Sequence, residues 1–393
     1  MFLSYNPVGI DYLWGGIQMK KILFLVLSLI IFIFISQGCS SENNPSTPDV
    51  GATVEAIFTK IAQTATAEAS GWTPTATPTT TTTATIIPTM TITSTTTVTL
   101  TTTVTSTMTM TPTSTPTFYS QFIMKSGYLY RTYSVTADSA NGRIYALEPY
   151  AFHIQVFDSN FVSIDTWGSG GSGDGEFNSI RDLSIDRTTG RIYVTDQGLN
   201  RIQVFNGSGA FITKWGEGGM GDGQFDNLKG VAVNMTTGRV YAADYLNNRV
   251  QAFDSNGNFI ISWSAVGAGQ LAGPYGVAVD GATGNVYVSE STNSRISVFD
   301  SNGIFINTFG EGTTAPRGLS VDSLNGRVYV AAQGDDNIRV FTTGGSLLGV
   351  IGSYGTNDGF FNQPYGVFFD SNTDRIYVAD TYNDRIQVFQ IYN

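Results

Sequence analysis

Six tyrosines recur in one local setting along this chain: Tyr145, Tyr193, Tyr241, Tyr287, Tyr329 and Tyr377, at spacings of 48, 48, 46, 42 and 48 residues. The pattern around them is clearest in residues 190–205, Gly-Arg-Ile-Tyr-Val-Thr-Asp-Gln-Gly-Leu-Asn-Arg-Ile-Gln-Val-Phe. Short runs of β-branched and aromatic residues bounded by Gly, Asn and Asp read as strands joined by tight turns. One such unit cannot bury its own apolar faces, so the six must stack against one another.

Residues 228–267 show the unit in detail. Strands are expected at 230–234, 239–243, 249–253 and 259–263, with turns at Met235-Thr236-Thr237-Gly238 and Asp254-Ser255-Asn256-Gly257. Four antiparallel strands per unit and six units make an all-β, six-bladed propeller over residues 119–393. The last unit ends at Asn393 without a fourth strand, whereas residues 122–127, Phe-Ile-Met-Lys-Ser-Gly, match the fourth strand of the second unit, Phe-Ile-Thr-Lys-Trp-Gly at 211–216. The N-terminal strand is therefore expected to complete the C-terminal blade, which removes the open edges an unclosed array would carry.

The first third of the chain is of another kind. Met19-Lys20-Lys21 is followed by an apolar run from Ile22 to Ile35 and then Ser36-Gln37-Gly38-Cys39, the layout of a signal segment. The run is short for a membrane span of ~30 Å at ~1.5 Å rise per residue. Translation is expected to start at Met19, with residues 1–38 cleaved. Gly38-Cys39 resembles the lipobox of bacterial lipoproteins, although Ser36 and Gln37 depart from its usual Leu and Ala or Ser; the resemblance implies lipidation of Cys39. Ordinary secretion and an uncleaved anchor are the alternatives, and all three place the remainder outside the cytoplasm. Residues 39–118 read as a spacer. Val54, Ile57, Phe58 and Ile61 sit at helical spacing, and residues 73–117 are dominated by Thr with Pro, a composition that builds an extended stalk, open to O-glycosylation, rather than a core.

Composition excludes some functions. A net charge of −11 disfavours nucleic acid, whose binding needs a basic surface. Cys39 is the single cysteine and His153 the single histidine, so neither an intrachain disulfide nor a common zinc site can be built, and no metal or other cofactor is expected.

Asn362-Gln363-Pro364-Tyr365-Gly366-Val367, Arg375-Ile376-Tyr377-Val378-Ala379-Asp380 and Asn383-Asp384-Arg385-Ile386-Gln387-Val388-Phe389 resemble NHL repeats. The resemblance spans residues 119–393 and implies a fold but no single function, since similar propellers serve as sensing ectodomains, protein-binding platforms, RNA readers and lyases.

Comparison of the six units separates scaffold from departure. Three residues after each key tyrosine stand Glu148, Asp196, Asp244, Glu290, Ala332 and Asp380; five further on stand His153, Arg201, Arg249, Arg295, Asn337 and Arg385. Acid and base are lost together in the fifth unit, so each pair is expected to be a structural ion pair rather than a metal or catalytic site. His153 replaces an arginine opposite Glu148. The glycine-rich crossovers 168–175 and 216–223 lack the lysine and helix of a phosphate loop and read as flexible connections. Trp167, Trp215 and Trp263 end equivalent strands and are expected to pack between blades.

One ring of positions is less uniform. At the start of each innermost strand stand Tyr133, Arg181, Lys229, Tyr275, Arg317 and Tyr365; the following residue is small except for Asp182. These seven are the candidate ligand-binding residues, placed at one rim of the central channel. Aromatic faces beside cations suit a small acidic ligand, a glycan or an acidic peptide; the bland alternative is that the cations merely neutralise Asp182. The expected function is a monomeric, lipid-anchored module binding a protein, peptide or glycan at the cell surface, with no catalytic residues. A lyase or lactone hydrolase is one alternative, for which a lone His in an arginine position is poor metal-binding material; an adhesive surface protein is another.

Overall fold

In a computed structural model, six four-stranded antiparallel sheets follow one another along the chain. The structure describes residues 118–264 and 267–392; the leader, the Cys39 lipidation position and the Thr-rich spacer up to residue 117 lie outside the described residues. The second blade is typical, with strands Ile180–Asp186, Arg191–Asp196, Arg201–Phe205 and Phe211–Trp215 running from the axis outward. The inner strands Ser134–Asp138, Ile180–Asp186, Leu228–Val233, Pro274–Val279, Pro316–Asp322 and Pro364–Asp370 each contact the next, and the sixth contacts the first, so the ring is closed.

Closure comes from the N-terminal strand. Tyr119–Lys125 pairs antiparallel with Arg385–Tyr392, in the register Tyr119 to Tyr392 and Phe122 to Phe389. It begins three residues earlier than the expected 122–127, because the third strand of the last blade runs on to Tyr392 and offers a longer partner. The pairing carries a bulge at Phe122/Met124, and the outer pairs of the other five blades carry one beside the equivalent Phe, as at Val204/Phe205 and Ala252/Phe253. A segment some 260 residues distant in sequence thus reproduces the local geometry of a consecutive hairpin. Phe118, read as the end of the spacer, already packs on Tyr329 of the fifth blade, with ring centroids 6.4 Å apart.

The repeated tyrosines lie in the interior: Tyr145, Tyr193, Tyr241, Tyr287 and Tyr329 are all at most 1% exposed. Tyr193 and Tyr241 pack edge-on against Trp215 and Trp263 of their own outer strands. Those tryptophans in turn cover the next blade: Trp167 lies 4.7 Å from Phe205, Trp215 5.8 Å from Phe253 and Trp263 6.0 Å from Phe299, centroid to centroid. At Gly209, Gly257 and Gly303, each with positive φ, an added Cβ would fall within 2.6 Å of the covering indole. Those turns are glycine both for their backbone and for this close approach.

Candidate functional site

The acid and base positions meet at one face of the ring. Arg249 Nε donates to Asp244 Oδ2 at 2.7 Å, Arg295 Nε to Glu290 Oε1 at 2.8 Å, Arg385 Nε to Asp380 Oδ2 at 2.7 Å, and Arg201 Nε to Asp196 Oδ2 at 3.4 Å, while His153 Nε2 lies 3.2 Å from Glu148 Oε1. The four Arg-paired carboxylates are fully buried and also accept backbone N–H groups, such as Asp226 N–H on Asp244 at 2.8 Å and Asn362 N–H on Asp380 at 2.8 Å. Burial pushes the Asp244 carboxyl up despite these donors.

Each arginine reaches further. Arg201 donates to the carbonyls of Ser172, Gly173 and Glu176, and Arg249 to those of Gly221 and Gln224. Short parallel bridges, Ser169–Gly170 with Glu176–Phe177 and Glu217–Gly218 with Gln224–Phe225, complete the tie. The glycine-rich crossovers read as flexible are therefore pinned by backbone and guanidinium hydrogen bonds.

The fifth blade corrects the reading that its pair is simply lost. Asp335, three residues beyond Ala332, pairs with Arg339, two residues beyond Asn337, at 2.9 Å. Its Oδ2 accepts Thr314 N–H at 3.0 Å, the backbone donor equivalent to Asp226 N–H in the third blade. Both partners have moved along the chain while the pair remains.

The rim positions lie at bulges. In blades two to five the pairing of the inner strand shifts between its first and fourth residues, as between Ile180 and Leu183 or Leu228 and Val231, and the rim residue falls inside the shift. A bulge bends the strand and re-aims a side chain, here towards the axis. The following residue is small because the neighbouring inner strand crowds it: a Cβ on Gly230 would lie 2.6 Å from Tyr275 O, and one on Gly276 2.4 Å from Arg317 O.

The six rim side chains come together. Tyr133 and Tyr365 stack with centroids 4.7 Å apart and planes at 8°, and Tyr275 meets Tyr365 at 6.4 Å. Arg181 sits 5.0 Å over Tyr133, Arg317 4.3 Å over Tyr275 and 5.4 Å over Tyr365, and Lys229 Nζ 5.5 Å over Tyr275. None of the three cations forms a salt bridge among the described residues. Neutral amides hold them: Gln197 Oε1 accepts from both Arg181 Nε and Lys229 Nζ, the latter at 2.9 Å, and Gln333 Oε1 accepts from Arg317 Nε at 2.9 Å. Burial first, and then the charges of Arg181 and Arg317, push the Lys229 amine down to about 7, while burial pushes the Tyr275 phenol up to about 12.

Asp182 stands apart from the cations. Its carboxylate accepts Ser134 Oγ–H at 2.7 Å, Leu183 N–H at 2.9 Å and Val231 N–H at 2.9 Å, linking the inner strands of blades one to three. Burial pushes it up to about 6. Neither Arg181 nor Lys229 pairs with it, so the cations are not there to neutralise Asp182. Asp182 lines a central cavity of about 140 Å³ with Ser134, Thr136, Ser184, Ser320 and apolar inner-strand residues. At the other mouth Arg187 crosses to Asp370 of the last blade at 2.7 Å.

Gln197, Gln333, Tyr150 and Tyr245 join the rim without having been read from the sequence. Gln197, Tyr245 and Gln333 directly follow the second-strand acid position, so a comparison of that column across blades would have found them. Among the described residues no three His, Cys, Asp or Glu side chains gather as a metal-ligand set.

Comparison with known proteins agrees with the repeat. A family profile described as 6-bladed beta-propeller matches residues 187–264, and the NHL repeat profile matches residues 271–299 and 361–389. The search of curated proteins finds no match. Similar solved structures include a structural genomics protein of unknown function from Bacteroides thetaiotaomicron (16% identity, TM-score 0.53, covering 68% of this chain and 71% of that one). A streptogramin B lyase (15%, 0.50, 70% and 98%) and an auxiliary nutrient binding protein from B. thetaiotaomicron (14%, 0.52, 68% and 70%) are also similar. At these identities the likeness is one of fold. The described chain is a six-bladed β-propeller carrying NHL repeats.

Proposed function

We propose that this propeller is a binding module whose rim takes a ligand bearing an anionic group and a sugar-like or apolar face. The observation that carries the reading is the cluster of Arg181, Lys229 and Arg317, held by amide oxygens with no carboxylate partner among the described residues, in a chain of net charge −11. Burying cations and gathering like charges both oppose folding, and both push the Lys229 amine down, burial first and then Arg181 and Arg317. A bound anion relieves that cost, and the stacked tyrosines supply flat faces and hydroxyls beside it. Binding is favoured over catalysis because His153 is engaged by Glu148 and Asp182 by three donors. The nutrient-binding relative supports the fold as a scaffold for such a role, and the lyase relative equally supports a scaffold for chemistry.

The test is calorimetric titration of the full-length protein with a panel of uronic acids and short acidic peptides. Replacing Arg181 and Arg317 together by Ala should weaken binding by about 1.5–3 kcal/mol per charged hydrogen bond lost without lowering the thermal midpoint. Unchanged affinity in the double variant, or no binding of any panel member by the wild type, overturns the reading.

The leader supports a second part of the proposal: export from Met19 and anchoring through a lipid on Cys39, with the Thr-rich spacer carrying a monomeric propeller away from the membrane. Cys39→Ala should move the protein from the membrane to the soluble fraction. An unmodified Cys39 on the mature chain, seen by mass spectrometry, would contradict it.

A further inference from the structure

Residues 126–133 link the N-terminal strand, which is the outer strand of the last blade, to the first inner strand, and so form the crossover from the sixth blade to the first; the pair Tyr128 and Tyr130 sets it apart from the other crossovers. This link is held from both sides. Leu129 N–H donates to Asp384 O at 2.7 Å, Tyr130 N–H to Glu148 Oε2 at 2.9 Å and Arg131 N–H to Asp384 Oδ1 at 2.9 Å. Leu129 is 3% exposed and packs into the core, so its neighbours Tyr128 and Tyr130 face outward at 75% and 47% exposure. Tyr150, in the loop after Glu148, is also exposed.

These side chains form a row that ends at the rim. Tyr128 and Tyr130 lie 6.5 Å apart at 23°, Tyr130 and Tyr150 5.6 Å apart, and Tyr150 and Tyr133 6.3 Å apart with hydroxyls at 3.4 Å; Tyr133 then stacks on Tyr365 under Arg317. The backbone and Leu129 anchor the segment, and the outward tyrosines add little to that. Keeping several aromatic rings in water on a pinned backbone forgoes ~25 cal/mol for each Å² of apolar surface left unburied, and a contiguous patch of this kind marks an interaction site.

We propose that the tyrosine row and the rim are one extended site for an acidic oligosaccharide. The anionic group of one sugar sits among Arg181, Lys229 and Arg317, and the sugars linked to it lie along Tyr133, Tyr150, Tyr130 and Tyr128. This rests on the rim reading above and names its ligand class. A sugar chain is favoured over an acidic peptide because the N–H groups of residues 129–131 are already used internally. A peptide laid here would find those three donors already paired, whereas sugar rings need only flat faces and hydroxyl partners.

The experiment compares galacturonate with its hexamer on the full-length protein, by calorimetry. The hexamer should bind about tenfold or more tighter than the monomer. In Tyr128→Ala/Tyr130→Ala that ratio should fall to about threefold or less, with an unchanged thermal midpoint. In Arg181→Ala/Arg317→Ala both ligands should weaken. Equal affinities for monomer and hexamer in the wild type, or a ratio that survives loss of the two tyrosines, overturn the extended site while leaving the rim intact. A hexaglutamate peptide that binds more tightly than the hexauronate overturns the ligand class. Failure of both uronates to bind removes the rim reading and the extended site together.

Discussion

Phe122 packs edge-on against Phe389, with ring centroids 5.8 Å apart and planes at 78°, and so joins the first described strand to the last. The same contact recurs within single blades, between Phe205 and Phe211 at 6.1 Å, Phe253 and Phe259 at 6.1 Å and Phe299 and Phe305 at 5.9 Å. Elsewhere a tight turn brings the two rings together. Here the whole propeller does, and the contact reports on ring closure.

Deleting residues 119–125 should therefore lower the denaturation midpoint of the full chain sharply, because Arg385–Tyr392 would lose its outer partner over residues 387–392. Phe122 is half-buried, so Phe122→Ala should cost on the order of 2 kcal/mol, less than a full core truncation. An unchanged midpoint in the deletion would contradict closure by this strand.

Arg249→Ala should destabilise by roughly 3–5 kcal/mol, since it leaves the fully buried Asp244 carboxylate without its cation and frees the crossover carbonyls of Gly221 and Gln224. Arg339→Ala should cost only about 1 kcal/mol, because the Asp335–Arg339 pair is partly solvated. A chemical denaturation series ranks them, and equal effects would show that the displaced pair of the fifth blade is as deeply built as the others.

Anion affinity should fall as pH rises. The Lys229 amine, pushed down to about 7 by burial and by Arg181 and Arg317, loses its charge through that range, while Tyr275 stays neutral and Gln197 does not titrate. A carboxylate ligand remains ionised throughout, so binding should be about fivefold to tenfold tighter near pH 6 than near pH 8.5. Asp182, pushed up to about 6, titrates at the lower end of the window, and Lys229→Met separates the two by removing only the step near 7. For the unliganded protein the sign is opposite. The unfolded chain binds the Lys229 proton up to the ordinary 10.5 and the folded one only up to about 7, so stability should rise with pH between those values and Lys229→Met should abolish that rise.

The propeller was legible because each inference could be checked six times within one chain. The tyrosine register placed the blades, and the unmatched strand at residues 122–127 pointed to closure. The six rim residues were legible for the same reason, as one column of the repeat. What stayed hidden lies off that column. Asp335 and Arg339 escaped because both had moved, so the column showed only Ala332 and Asn337. The crossovers looked flexible because their glycines are visible locally, whereas the guanidinium groups of Arg201 and Arg249 that hold their carbonyls come from about 25 residues further on. Tyr128 and Tyr130 lie in the crossover from the sixth blade to the first, where the matching positions of the other crossovers, such as Glu176 and Asn178 or Gln224 and Asp226, hold no aromatic pair to mark them.

The most direct measurement of the central claim is a crystal structure of the protein soaked with galacturonate. The account expects the ligand carboxylate within hydrogen-bond distance of Arg181, Lys229 and Arg317, with its sugar ring against Tyr133 or Tyr365. Density for the ligand at the outer strands or at the Arg187–Asp370 mouth, with the rim cations still held only by Gln197 and Gln333, would contradict it.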